Sequence, residues 1–131
     1  MAWTASWYFE LAVVGGQKLS ARGEERSEVF VAFNGEIAKA SVKSVDLLPD
    51  PATGKVRLLV LKPSTTSDKV TFSFADPADS TTKVFDLKTP VVLIGASAVE
   101  LLPASPAKLW LKNAGSEAVV VEILIGRDPA P

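Results

Sequence analysis

Few residues in this chain are equipped to do chemistry, and two whole classes are missing, because its 131 residues include no histidine and no cysteine. Histidine is the side chain whose unperturbed pKa lies in the physiological range. Thiol redox chemistry, structural zinc and His-assisted nucleophiles need one of the two absent types. What remains is carboxylates, Ser–Lys pairs and aromatic rings. Glu10, Glu100 and Glu122 sit inside apolar strand patterns, where burial raises a carboxyl pKa and can make a general acid. A glycosidase needs two such groups across a cleft, and no spacing here brings two together. Glu122 is expected instead to pair across a hairpin with Lys108 or Lys112.

Ser41 with Lys43, and Lys18 with Ser20, are same-face neighbours that a lysine-activated serine would require, but alternating polar residues on a solvent face account for both pairs. Asp76, Asp79 and Ser80 offer oxygen ligands for a hard cation. Their spacing lacks the alternating carboxylates, central glycine and terminal glutamate of an EF-hand, and Asp-Pro and Asp-Ser are turn chemistry. The stretch from Gly15 to Ser20 lacks the first glycine of a phosphate loop and has leucine between lysine and serine. It reads as a turn leading into a strand. Trp3, Trp7, Tyr8 and Trp110 would make a flat platform for sugar rings or unstacked bases. The competing reading puts Trp7 in the core and Trp110 at a subunit interface, where tryptophan is enriched.

The elements that position these side chains alternate with period two from end to end, the pattern of half-buried strands. Trp7, Phe9, Leu11 and Val13 fall on one face of a first strand, with Tyr8, Glu10, Ala12 and Val14 on the other. Asn34-Gly35, between Glu28–Phe33 and Glu36–Val42, is the dipeptide of a type I′ hairpin turn. The apolar parity then slips, and a bulge is expected near Lys43 and Ser44. A helix over Ile37–Leu48 is the competing reading.

Pro49–Gly54 is a turn. Lys55–Lys62 is apolar on both faces and should be a central strand. Val70, Phe72 and Phe74 alternate with polar or small neighbours, while Val84–Leu87, Val91–Ala96 and Val99–Leu102 are short candidates before a corner at Pro103 and Pro106. A last hairpin joins Lys108–Lys112 to Ser116–Ile125 through Asn113-Ala114-Gly115, with Gly115 left-handed. It would place Leu109, Leu111, Val119, Val121, Ile123 and Ile125 on a core face and Trp110, Val120 and Leu124 on the other.

Eight to ten short strands imply an all-β domain over residues 1–127, an antiparallel sandwich (jelly-roll-like) or partly closed barrel, with 128–131 as a frayed tail. Fourteen basic and 15 acidic residues give a net charge of −1, which argues against nucleic acid and anionic lipid as partners. The amino terminus has no basic n-region and carries Glu10 in its apolar stretch, so it does not read as a secretion signal. Val91–Ala107 is too short and too interrupted for a spanning helix. A soluble protein without cofactor, metal or membrane partner is expected, with virion and cytoplasm both open.

The run KVFDLKTPVVLIGASAVELLPASPAKLWLKNAGSEAVVVEILIGRD (residues 83–128) resembles the closing portion of small all-β virion accessory proteins of tailed bacteriophages. The likeness lies in an apolar-aromatic-apolar strand, a short Asn/Gly turn and a Val/Ile-rich strand. It covers a third of the chain and implies a capsid- or tail-associated structural protein, often trimeric, with other virion proteins as further partners; it carries no catalytic residues. The expected function is noncatalytic self-association through an apolar sheet face, with Trp110, Val120 and Leu124 as contact residues. A jelly-roll carbohydrate-binding module is the alternative.

Overall fold

The structure is a computed structural model that describes residues 3–27, 29–47, 55–65, 68–95, 98 and 108–128. Ten strands are described: β1 (Trp3–Ala12), β2 (Lys18–Ser27), β3 (Val29–Ile37), β4 (Ser41–Asp46), β5 (Lys55–Pro63), β6 (Val70–Ser73), β7 (Phe85–Asp86), β8 (Val91–Ile94), β9 (Lys108–Asn113) and β10 (Val119–Asp128). Every pairing is antiparallel. Sheet I has the order β3-β10-β5-β8 and sheet II the order β4-β9-β6-β7, while β1 and β2 form a two-stranded hairpin of their own. Among the described residues the two four-stranded sheets pack as an open sandwich, with no closed barrel.

Period-two alternation builds the core. In β10, Val119, Val121, Ile123 and Ile125 point inward and are buried, while Val120, Glu122 and Leu124 point out. From sheet II, Leu109, Leu111, Val70 and Phe72 meet them in one apolar cluster with Ile37, Val45, Leu47, Leu59, Leu61 and Leu87. Strand β5 lies between β10 and β8, the interior position that its two-faced apolar pattern requires. A register shift between Gly126 and Arg127 skips Arg57, so that Val56, Leu59 and Leu61 all reach the core despite their uneven spacing. Arg127 then points between the sheets, and its guanidinium donates to the Leu47 carbonyl at 2.8 Å.

Three local expectations are overturned. Asn34-Gly35 is not a turn: β3 runs through it, pairing continuously with β10 from Val29 to Ile37. A turn at that point would put Ile37 on the face opposite Val31. Extension keeps both on the inward face, and Ile37 is 1% exposed. Burial of Ile37 and a ladder spanning the strand outweigh a two-residue preference. The bend falls instead at Ala38–Ala40, where Ala40 takes the left-handed φ of 51° and Ser41 Oγ donates to the Ala38 carbonyl at 2.6 Å.

The last pair of strands is likewise not a hairpin, because β9 belongs to sheet II and β10 to sheet I, and the loop between them crosses the sandwich. Asn113 fastens that crossing. Its buried side-chain amide donates to the carbonyls of Ile37 (3.2 Å) and Glu117 (2.7 Å), and its Oδ1 accepts from the Gly115 N–H (2.9 Å). Finally, β4 pairs with β9 without a bulge from Ser41 to Asp46. The parity slip there is absorbed by Lys43, an inward position on an edge strand occupied by a cation. A Cβ on Gly35 would lie 4.0 Å from its Nζ. Charge in that position discourages further strands from adding to the open side.

Of the expected tail 128–131, Asp128 instead ends β10 opposite Lys55, and 129–131 lie outside the described residues, as do Val99–Leu102, Glu100, the turn at Pro49–Gly54 and the corner at Pro103 and Pro106.

Candidate interaction surface

Strands β1 and β2 pair along their full length, from Trp3 opposite Ser27 to Ala12 opposite Lys18. The connecting turn is closed by hydrogen bonds from Val13 N to Gln17 O and from Gly16 N to Val13 O, both 2.9 Å, and needs Gly15 at φ +73°. The register sorts the side chains into two unlike faces. One carries Trp3, Ala5, Trp7, Phe9 and Leu11 beside Leu19, Ala21, Gly23, Glu25 and Ser27. The other carries Thr4, Ser6, Tyr8 and Glu10 beside Lys18, Ser20, Arg22, Glu24 and Arg26.

On the polar face the Tyr8 hydroxyl donates to Glu10 Oε2 at 2.7 Å, and Lys18 Nζ lies 3.2 Å from Glu10 Oε1. The hydrogen bond from Tyr8, then that from Lys18, holds the Glu10 carboxyl below its ordinary pKa, and the same bond to Glu10 raises the Tyr8 phenol. Glu10 is thus a charge that pins the end of a hairpin. On the apolar face the Trp7 indole lies across Gly23, where a Cβ would sit 2.8 Å from Cζ2. Trp7 is therefore half-buried on the hairpin and does not enter the sandwich core.

The base of this hairpin rests on the outer face of sheet I. A Cβ on Gly126 of β10 would lie 3.0 Å from Ser27 Oγ, and one on Gly95, just past β8, would lie 3.8 Å from Glu25 Oε2. Strand β2 also touches β5 between them, and Leu58, on the outward face of β5, is 2% exposed. So β2 crosses sheet I from β10 over β5 to the β8 edge with its apolar-side face down. Residues 18–24 continue past that edge, a reach of roughly 23 Å at the ordinary rise of a strand. There the apolar face has no cover: Phe9, Leu11 and Leu19 are 49%, 52% and 61% exposed, while at the base, opposite Ser27, Trp3 is 60% exposed.

Next to the covered row on sheet I is an uncovered one. Ala32, Leu124, Val60 and Val92 stand side by side across β3, β10, β5 and β8. Ala32 and Val92 are exposed, and Leu124 and Val60 are half-buried. The row beyond is polar, with Asn34, Glu122 and Lys62 in line and Lys62 Nζ 3.8 Å from Glu122 Oε2. Glu122 therefore pairs with β5 in its own sheet, because Lys108 and Lys112 belong to sheet II. Lys108 instead lies 3.9 Å from Asp46.

The expected contact residues are divided in the same way. Val120 and Leu124 lie on the outer face of sheet I, and Trp110 lies on the outer face of sheet II between Ser44 and Ser73. They do not form one patch. The aromatic residues divide too: Trp3 and Trp7 share the hairpin's apolar face, Tyr8 occupies the opposite face, and Trp110 is elsewhere.

Neither Ser–Lys pair forms a dyad, since Ser41 caps a bend and Lys18 serves Glu10. Asp76 and Asp79 act in turns, accepting from the backbone N–H groups of Ala78 and Thr81, each at 2.9 Å, with Asp79 also accepting from the Thr81 hydroxyl. Those bonds from Thr81 hold the Asp79 carboxyl below its usual range. Among the described residues no three His, Cys, Asp or Glu side chains are placed to hold a metal ion.

No family model, curated protein or solved structure matches the chain. Among the described residues no helix is long and apolar enough to cross a membrane. The free hairpin was the feature that sequence reading missed. Its signal was β2 itself, KLSARGEERS, with five charges in ten residues. A strand of that composition does not pair with an apolar neighbour inside a sandwich.

Proposed function

We propose that this chain is a noncatalytic structural subunit that self-associates through apolar β surface, in the manner of the small all-β virion accessory proteins of tailed bacteriophages that its carboxyl-terminal third resembles. The observation that carries the reading is the β1–β2 hairpin, whose apolar face leaves three large side chains about half exposed or more along its outer part. Contiguous apolar surface of this kind marks an interaction site, and symmetric assembly of identical subunits is the commonest use of one. A trimer is the stoichiometry that the resemblance favours. Sedimentation equilibrium across a wide concentration range tests the reading: mass rising to a defined multiple of 13.9 kDa is expected. A strict monomer at the highest concentration refutes it.

A carbohydrate-binding module of jelly-roll type is the second reading, favoured by Trp3 and Phe9 exposed on one face of the hairpin. It requires tryptophan fluorescence to change on addition of oligosaccharides. Silence across a glycan panel removes it.

A further inference from the structure

We infer that association proceeds by exchange of arms: the overhanging half of the β1–β2 hairpin of one copy seats its apolar face on the open row Ala32, Leu124, Val60 and Val92 of sheet I in a second copy. The inference rests on the self-association reading above and names the two surfaces that meet.

Three observations lead to it. First, the hairpin already uses this face against this sheet within one chain, with Ser27 over Gly126, Glu25 at Gly95 and Leu58 closed off beneath β2. The open row is the next one along the same strands, about 7 Å away at two residues of strand rise. Second, the overhang passes the β8 edge and has no cover of its own, so its face is presented to whatever stands beside the sandwich.

Third, the areas suffice. With aromatic side chains offering roughly 150–250 Å² each and leucines somewhat less, the exposed parts of Phe9, Leu11 and Leu19 on the overhang amount to roughly 300 Å². Each copy gives one arm and takes one, in a pair or in a ring, and two such seats, each hiding about as much on the sheet as on the arm, bury roughly 1,200 Å² in total, the lower end of the range of stable interfaces.

The absence of cysteine makes the test clean. Leu19→Cys is placed in one copy and Val92→Cys in a second copy carrying a mass tag, and the mixture is treated with a short bismaleimide. The control pairs Leu19→Cys with Lys112→Cys on the outer face of sheet II. Arm exchange requires the Leu19→Cys/Val92→Cys product between tagged and untagged chains to exceed the control at least ten-fold. It also requires Leu19→Asp to weaken association at least ten-fold with the unfolding transition of the sandwich unchanged.

If the chain sediments as an oligomer but the two products form equally, or neither forms, arm exchange is overturned while self-association stands. A strict monomer overturns both.

Discussion

Asn113 is the residue whose removal should be felt most. Its side chain is 1% exposed and makes three hydrogen bonds, to Ile37 at the end of β3, to Glu117 in the crossing loop and from Gly115. It thereby ties sheet II to sheet I at the point where the chain passes between them. Each such bond is worth about 0.5–1.5 kcal/mol net, and a buried partner left without its mate loses more. Asn113→Ala should therefore destabilise the fold by about 3 kcal/mol, out of the roughly 5–15 kcal/mol that hold a domain together. Urea unfolding followed by far-ultraviolet circular dichroism reads this as a midpoint lowered by roughly 1.5 M at an ordinary slope.

Asn113→Asp sharpens the test. It keeps the acceptor for Gly115 but turns carboxylate oxygens toward two carbonyls. Burial and those carbonyls raise its folded pKa above the unfolded value, so between the two the folded state binds more protons and stability falls as pH rises. Acid should restore part of what the substitution removes, and Asn113→Ala should show no such recovery. A loss under about 1 kcal/mol for Asn113→Ala, or an Asn113→Asp variant indifferent to pH, would refute the role given to this amide.

Tyr8 is the chain's one tyrosine, so an absorbance titration of phenolate reports on it alone. It should titrate above the ordinary tyrosine value, and Glu10→Gln should bring it back. The sign of its linkage follows: the Tyr8–Glu10 contact tightens the hairpin end below the unfolded tyrosine pKa and is lost as pH rises through the folded one. Through Glu10, whose folded pKa is depressed, the same contact is lost as pH falls through that lowered value. Gly126→Ala would put a Cβ 2.6 Å from Phe30 Cε1 and 3.0 Å from Ser27 Oγ. Overpacking of this kind costs about 1–3 kcal/mol, and hydrogen exchange should show β1 and β2 amides losing protection ahead of the sandwich. Equal loss everywhere would mean that Gly126 is not the seat of the hairpin base.

The sandwich was legible in the sequence because its evidence is redundant: the alternation in Val119–Ile125, Leu109–Leu111 and Val70–Phe72 repeats one message in several strands. The interior place of β5 followed from its two apolar faces. What misled was local chemistry at single positions. Asn34-Gly35 has the backbone freedom for a hairpin turn, yet a dipeptide preference is small beside the pairing of β3 with β10 and the burial of Ile37. Asn113-Ala114-Gly115 has the composition of a hairpin loop, and nothing within it records that its two strands belong to different sheets. The contact residues failed to coincide for the same reason, since Trp110 and Leu124 share a face only if β9 and β10 share a sheet.

The hairpin arm raises a different question, because a two-stranded ribbon alone in water is marginal at best. Its ladder is long, but cross-strand pairs contribute only about 0.2–1 kcal/mol each. Ordering a residue's backbone costs about 1–2 kcal/mol. The base is secured by β10, β5 and Gly95, and the far end by Tyr8, Glu10, Lys18 and the turn at Gly15. Along the apolar face, Phe9, Leu11 and Leu19 contribute only part of their burial to the isolated subunit, since about half their surface stays in water. At roughly 25 cal/mol per Å², covering the roughly 300 Å² that these three leave open would be worth about 7 kcal/mol before the entropy of association is met. Each copy takes part in two such seats, so the same burial orders the arm and holds a second copy on it. Folding of the arm and assembly of the subunits are then one event, and protection of β1 and β2 amides should rise with protein concentration while protection of β10 and β5 does not.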